Sequence, residues 1–222
     1  MKIRLLFSTI VAVVLSAAAF AQTTFNFTGG LQTYVVPPGV TSINVDVYGA
    51  QGGSVTIACA ATGGLGARMS GDITVTPGEV LTILVGQQGF TNGEDGGGGG
   101  GSFVVRTGNI PLVVAGGGGG ASNNIQSCTG NRDGVAGTIG TSGTSSANGL
   151  IAGGTAGNGG GSSVGSAGGG GGFLGNGYNG DGSITKPYTN SNNGGGGLSF
   201  LSGSTGGNRS EEHTSELQSR QC

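Results

Sequence analysis

Runs of glycine at 96–101, 116–120, 159–161, 168–172 and 194–197 constrain this chain more than any other feature. Glycine in a helix interior costs about 1 kcal/mol relative to alanine, and nothing past the N-terminal leader shows an apolar 3.6-residue repeat to offset it. A helical bundle is therefore excluded. Collagen is excluded as well, because the glycines cluster instead of falling at every third place and there are five prolines. Glycine accounts for 55 of 222 residues, against a usual share of roughly 7%. Charged residues make up 8%, tryptophan is absent and the formal net charge is -2. That balance supports neither a nucleic-acid footprint nor a highly charged disordered tail.

The two ends differ from the rest. Residues 1–21 carry Lys2 and Arg4, an apolar run through Phe20, and the small-x-small ending Ala19-Phe20-Ala21. They read as a secretory signal cleaved before Gln22, which places the product outside the cell or on its surface. No later stretch is long and apolar enough to span a bilayer. At the other end, 209–222 reads RSEEHTSELQSRQC, without glycine and with the chain's single histidine, His213. The string resembles a translated sequencing adapter, and the expectation is a non-native tail with the natural C-terminus unseen; a genomic read through the junction tests this. With both ends set aside, Cys59 and Cys128 remain, and in a secreted chain they most simply form one disulfide, a cross-link of about 4 kcal/mol. Two buried free thiols are the alternative, separable by mass measurement with and without reduction.

Residues 22–115 hold strand signals. Ile43, Val45 and Val47 alternate with Asn44, Asp46 and Tyr48, and Ile73 and Val75 alternate with Asp72, Thr74 and Thr76. Short apolar runs at 80–85, 103–105 and 112–114, with 32–36, predict further strands. Pro38-Gly39 and Pro77-Gly78 mark turns. The expectation is mainly β, one sandwich or jelly roll. Of the 55 glycines, 41 lie from residue 94 onward. Disorder is the default for such composition, yet each run is flanked by anchors: 103–105, Val113 and Val114, Phe173 and Leu174, Leu198, Phe200 and Leu201. An ordered alternative is the polyproline II conformation of glycine, three residues per turn with outward N–H and C=O groups, which can pack side by side. The organisation expected is thus a leader at 1–21, a β-sandwich part with the first glycine run at 22–115, a glycine-rich part at 116–208 completing the same domain, and the tail.

SINVDVYGAQGG (42–53), VLTILVGQQG (80–89), GGGGGGSFVV (96–105) and PLVVAGGGGGA (111–121) resemble the glycine-rich extracellular domain of the anaplastic lymphoma kinase and leukocyte tyrosine kinase receptors. SAGGGGGFLGNG (166–177) and GGGGLSFLSG (194–203) are similar to its later blocks, in the same order. Similar domains occur in secreted bacterial glycine-rich proteins. The resemblance implies a tumour-necrosis-factor-like β-sandwich with an inserted bundle of polyglycine II helices. Kinase motifs are absent from this sequence, so no kinase activity carries over.

Chemistry-bearing patterns are few. Gly175-Asn176-Gly177-Tyr178-Asn179-Gly180 fits a dinucleotide fingerprint by composition, without the strand and helix it needs. Asn179 with Asp181, and Glu94 with Asp95, are weak calcium candidates lacking the EF-hand pattern. Before the tail there is no histidine, which removes the commonest general base. The expectation is a non-enzyme without cofactor: a secreted or cell-surface glycine-rich module for adhesion, structure or ligand recognition, with a protein or glycan partner, no nucleic acid, and self-association left open. Phe90, Tyr178 and Tyr188 are candidate contact aromatics, while Phe173 is expected to pack as an anchor. The alternatives are the ligand-binding part of a truncated membrane receptor, and an ice-binding surface suggested by the threonines and serines of 138–146.

Overall fold

Two proline–glycine turns set strand boundaries early in the chain. The computed structural model describes residues 22–56, 59–91, 95–123, 132–138, 142–146, 153–162, 167–184 and 194–202. In it Val40 N–H donates to the Pro37 carbonyl at 3.2 Å and Glu79 N–H to the Thr76 carbonyl at 2.9 Å. Each turn has proline second and a glycine of positive φ third, Gly39 at 82° and Gly78 at 80°, which is type II geometry.

The strands are β1 (Gln32–Val35), β2 (Ser42–Tyr48), β3 (Arg68–Thr74), β4 (Val80–Leu84), β5 (Ser102–Arg106) and β6 (Ile110–Ala115). They form two antiparallel sheets, one in the order β1-β4-β5-β6 and one of β2 with β3. The chain is mainly β, as the alternating pattern predicts. The inward residues Ile43, Val45 and Val47 of β2 and Met69 and Ile73 of β3 pack on Val36, Val75, Leu81, Val104 and Val113, so the two sheets share one apolar layer. β3 begins earlier than its alternation suggests, because Gly71 interrupts the apolar face between Met69 and Ile73.

β5 is buried on both sides, which explains its unbroken Phe103-Val104-Val105 run. Val104 faces the β2–β3 sheet. Phe103 and Val105, with Leu84 and Val114, face the opposite way and meet Phe173 and Phe200 from the glycine-rich part. The three phenylalanines form a cluster with centroids 5.2–5.6 Å apart, Phe173 stacked on Phe200 and both edge-on to Phe103. Phe200 opens a short 3-10 turn, Phe200–Ser202. These contacts fasten the glycine-rich part to the sheet, and Phe173 is the packed anchor expected of it.

The first two glycine runs are direct continuations of strands. β2 and β3 pair Tyr48 with Arg68. Beyond that pair, in unchanged register, Gly49 N–H donates to Ala67, Gly52 to Gly64, and Val55 exchanges bonds with Ala61. β4 and β5 pair Leu84 with Phe103, and beyond them Gly100 donates to Gln87 and Gly97 to Phe90. β5 and β6 pair Ser102 with Ala115, and beyond them Gly99 donates to Gly118 and Gly96 to Ala121. Antiparallel strands form bonded pairs at every second residue; in these extensions the bonds recur at every third. Each extended segment therefore has three bonding directions rather than two.

Later segments complete the arrangement. In 116–122, Gly118 and Ala121 donate to Ala50 and Gly53, Gly119 and Ser122 to Val135 and Arg132, and Gly120 to Gly168. Its carbonyls accept from Ala67 and Gly64, from Gly99 and Gly96, and from the Thr144 hydroxyl. Donating and accepting sides thus alternate around the run. A Cβ on Gly99, Gly117 or Gly170 would come closer than 3.0 Å to the carbonyl oxygens of Ala50, Gly99 or Gly117 respectively. Side chains return where a segment has an open side. Leu65 is exposed in 61–67, and Val135, Ala136 and Thr138 are exposed in 132–138, where Gly134 and Gly137 donate to Thr62 and Leu65.

Candidate binding surface

The outer face of the β2–β3 hairpin is polar, exposed and ordered by its own side chains. Alternation along β2 turns Ser42, Asn44, Asp46 and Tyr48 outward, opposite Thr74, Asp72, Ser70 and Arg68 of β3. Arg68 grips Asp46 with two bonds of 2.9 Å, Nε to Oδ1 and Nη2 to Oδ2. The Tyr48 hydroxyl donates to Asp46 Oδ2 at 2.9 Å, and the Arg68 guanidinium lies 5.2 Å from the Tyr48 ring centroid. One row along, Asn44 Nδ2 donates to Asp72 Oδ1 at 2.8 Å. These cross-strand pairs hold a flat array of donors, acceptors and one aromatic ring in place before any ligand arrives.

Hydrogen bonds from Arg68 hold the Asp46 carboxyl below its ordinary value. Donation to that carboxylate pushes the Tyr48 hydroxyl up. At the far end of the β-part, Arg106 and then the Thr76 N–H hold Glu79 below its ordinary value, and Arg106 also donates to the Thr74 carbonyl.

The residues singled out from sequence are dispersed. Phe90 is half-buried in 86–90, where its carbonyl accepts from Gly97. Tyr178 is 38% exposed in a different segment, donating through its N–H to Gly160 and accepting from Gly169. Asn179 is buried and occupied: its Oδ1 accepts from Gly196 N–H and its Nδ2 donates to Ser183. Asp181 is exposed and accepts from Ser183 N–H. Asp95 is buried, with Oδ1 accepting from the Ser122 hydroxyl and Asn123 N–H at 2.9 Å each. Among the described residues no group of three or more His, Cys, Asp or Glu side chains is placed to hold a metal ion. Cys59 is buried. Cys128, Glu94 and Tyr188 lie outside the described residues. Within the threonine- and serine-bearing stretch, Thr144 and Ser146 are buried and Thr144 bonds inward to Gly117 and Val135.

The hairpin face escapes a search for catalytic or metal-binding spacing because its members sit at ordinary polar positions of a strand. The usable signal is the outward register of Asn44, Asp46 and Tyr48, which becomes a surface once Arg68 and Asp72 are known to lie opposite. No helix among the described residues is long and apolar enough to cross a membrane. A scan against protein-family models and a search of curated proteins each return no match.

Proposed function

We propose that this chain is a secreted or cell-surface, non-catalytic glycine-rich module that recognises a protein or glycan ligand through the outer face of its β2–β3 hairpin. The observation that carries this reading is the ordered Asp46–Arg68–Tyr48 set beside Asn44–Asp72 on an exposed face. Planar polar arrays flanking an aromatic suit ligands rich in hydroxyl or amide groups, and preorganisation lowers the entropy cost of binding. The apolar leader of 1–21 supports export. The jelly-roll, receptor-like reading rests on the sequence blocks matched above.

The glycine segments are polyglycine II helices in this reading. Its support is the three-residue recurrence of donors to the same neighbour, as in Gly96 and Gly99 or Gly168 and Gly171. A Cys59–Cys128 disulfide is supported by Cys59, which is buried and disulfide-bonded. Glycan and protein arrays probed with the secreted chain test the function. Binding that Tyr48→Ala or Arg68→Ala reduces at least tenfold, with an unchanged melting temperature, is the expected result; silence on both arrays sinks it.

A further inference from the structure

We infer that two copies of this chain pair through the free edge of β1, antiparallel about a two-fold axis at Thr33. The ladder with β4 fixes which backbone groups are on offer. Val36 N–H donates to the Glu79 carbonyl and the Val36 carbonyl accepts from Gly78, so Val36, and at every second residue Tyr34 and Gln32, turn their groups toward β4. Leu31, Thr33 and Val35 turn theirs to the free side of the sheet, where no described residue bonds to them. The segment 22–28 passes close by, with the Asn26 carbonyl accepting from Gln32 Nε2 and the Phe25 ring edge-on to Tyr34. Those are contacts with side chains on the face toward the β2–β3 sheet, and they take no backbone group of β1.

Sheet edges are ordinarily guarded by charge, proline or a bulge. The other three edges are: β6 holds Pro111 and a register shift in its ladder at Val104/Val105, β2 holds Asp46, and β3 holds Arg68 and Asp72. β1 has none of these devices, and no charged residue occurs from 22 to 45. Its outward side chains are open to solvent: Leu31 is 64% and Val35 59% exposed, Thr33 is exposed between them, and Val80 of β4 lies opposite Val35 at 44%. A surface that meets its own copy brings like charges together unless it carries none. This one carries none.

The register follows from the ends. Gly30 on one side and Pro37 on the other confine the edge to 31–35, whose centre is Thr33. Antiparallel pairing about that centre sets Thr33 opposite Thr33, Leu31 opposite Val35 and Gln32 opposite Tyr34. Every outward N–H then faces an outward carbonyl, whereas a slip of one residue sets them against groups already used by β4. Aliphatic and threonine pairs across strands are favourable. The outer face of the β2–β3 hairpin stays uncovered, because it belongs to the other sheet. A dimer thus carries two such faces and binds a repeated ligand more tightly than one copy does. That consequence rests on the proposed function; the pairing does not.

The test is sedimentation of the secreted chain from micromolar to millimolar concentration, with Thr33→Lys, Thr33→Asp and their equimolar mixture. The wild type is expected to pass from monomer to dimer. Each variant alone sets like charges face to face on the axis and should dimerise at least tenfold more weakly, with an unchanged melting temperature, whereas the mixture sets Lys against Asp and recovers the dimer. A wild type that stays monomeric throughout, a dimer that Thr33→Lys leaves intact, or a mixture no more dimeric than its components overturns the proposal. A monomeric wild type that binds an array ligand removes the pairing and keeps the recognition reading; a dimer silent on both arrays does the reverse.

Discussion

β2 and β3 begin as ordinary strands and continue, in one register, into glycine segments; the two halves of that single hairpin obey different rules. In the lower half side chains alternate between a core face and an outer face, and Gly71 sits where an added Cβ meets nothing within 4 Å. In the upper half bonds recur at every third residue, and an added Cβ on Gly49, Gly52, Gly63 or Gly66 would strike a backbone carbonyl. The difference teaches that glycine does opposite things in one molecule. In the strand it wastes a packing position; in the extension it is the condition for close approach of backbones.

Substitution at Gly99 or Gly117 breaks the comparison most strongly. Gly99→Ala places a methyl against the Ala50 carbonyl, and backbone on both sides leaves little room to yield. The expected loss is on the order of 5 kcal/mol, comparable with the whole stability of a small domain, and is read as loss of the cooperative melting transition. Next is the fastening between the halves. Phe103→Ala removes the ring that Phe173 and Phe200 pack against and should cost about 3–5 kcal/mol in denaturant unfolding.

Smaller effects belong to the strand half. Gly39→Ala forces a side chain into positive φ with open space around it, so backbone strain of about 1 kcal/mol is the whole penalty. Gly71→Ala should have the opposite sign, stabilising by about 0.5 kcal/mol; a decrease in stability there would show that the strand half also needs bare backbone. The smallest effect is acid. Asp46 and Glu79 titrate below their ordinary values of 3.8 and 4.5, so their contribution is present above those values and is lost as pH falls through the lowered ones. A melting series from pH 6 to pH 3, with Asp46→Asn and Glu79→Gln flattening the decline, measures it; exposed ion pairs contribute little, so the slope should be shallow.

Much of the β-part was legible. The alternation of Ile43, Val45 and Val47 is the face that packs on the second sheet, and Pro38-Gly39 and Pro77-Gly78 are type II turns. The early start of β3 was hidden by Gly71, which leaves the Met69-to-Ile73 face without its middle member. The anchoring role of Phe173 was legible, whereas Phe90, Tyr178 and Asn179 carried no sign of which segments they would join. The candidate surface was half legible: β2 announces Asn44, Asp46 and Tyr48 as outward, but Arg68 meets them only through the pairing of Tyr48 with Arg68 across residues 49–67.

By itself the sequence determined where strands and turns form and which segments must be bare of side chains, because period-two alternation and runs of glycine are local properties. The tertiary structure decided which run lies beside which. A glycine has no side chain with which to choose a partner, so the choice passes to strand registers and to the phenylalanines that hold the later segments against the sheet.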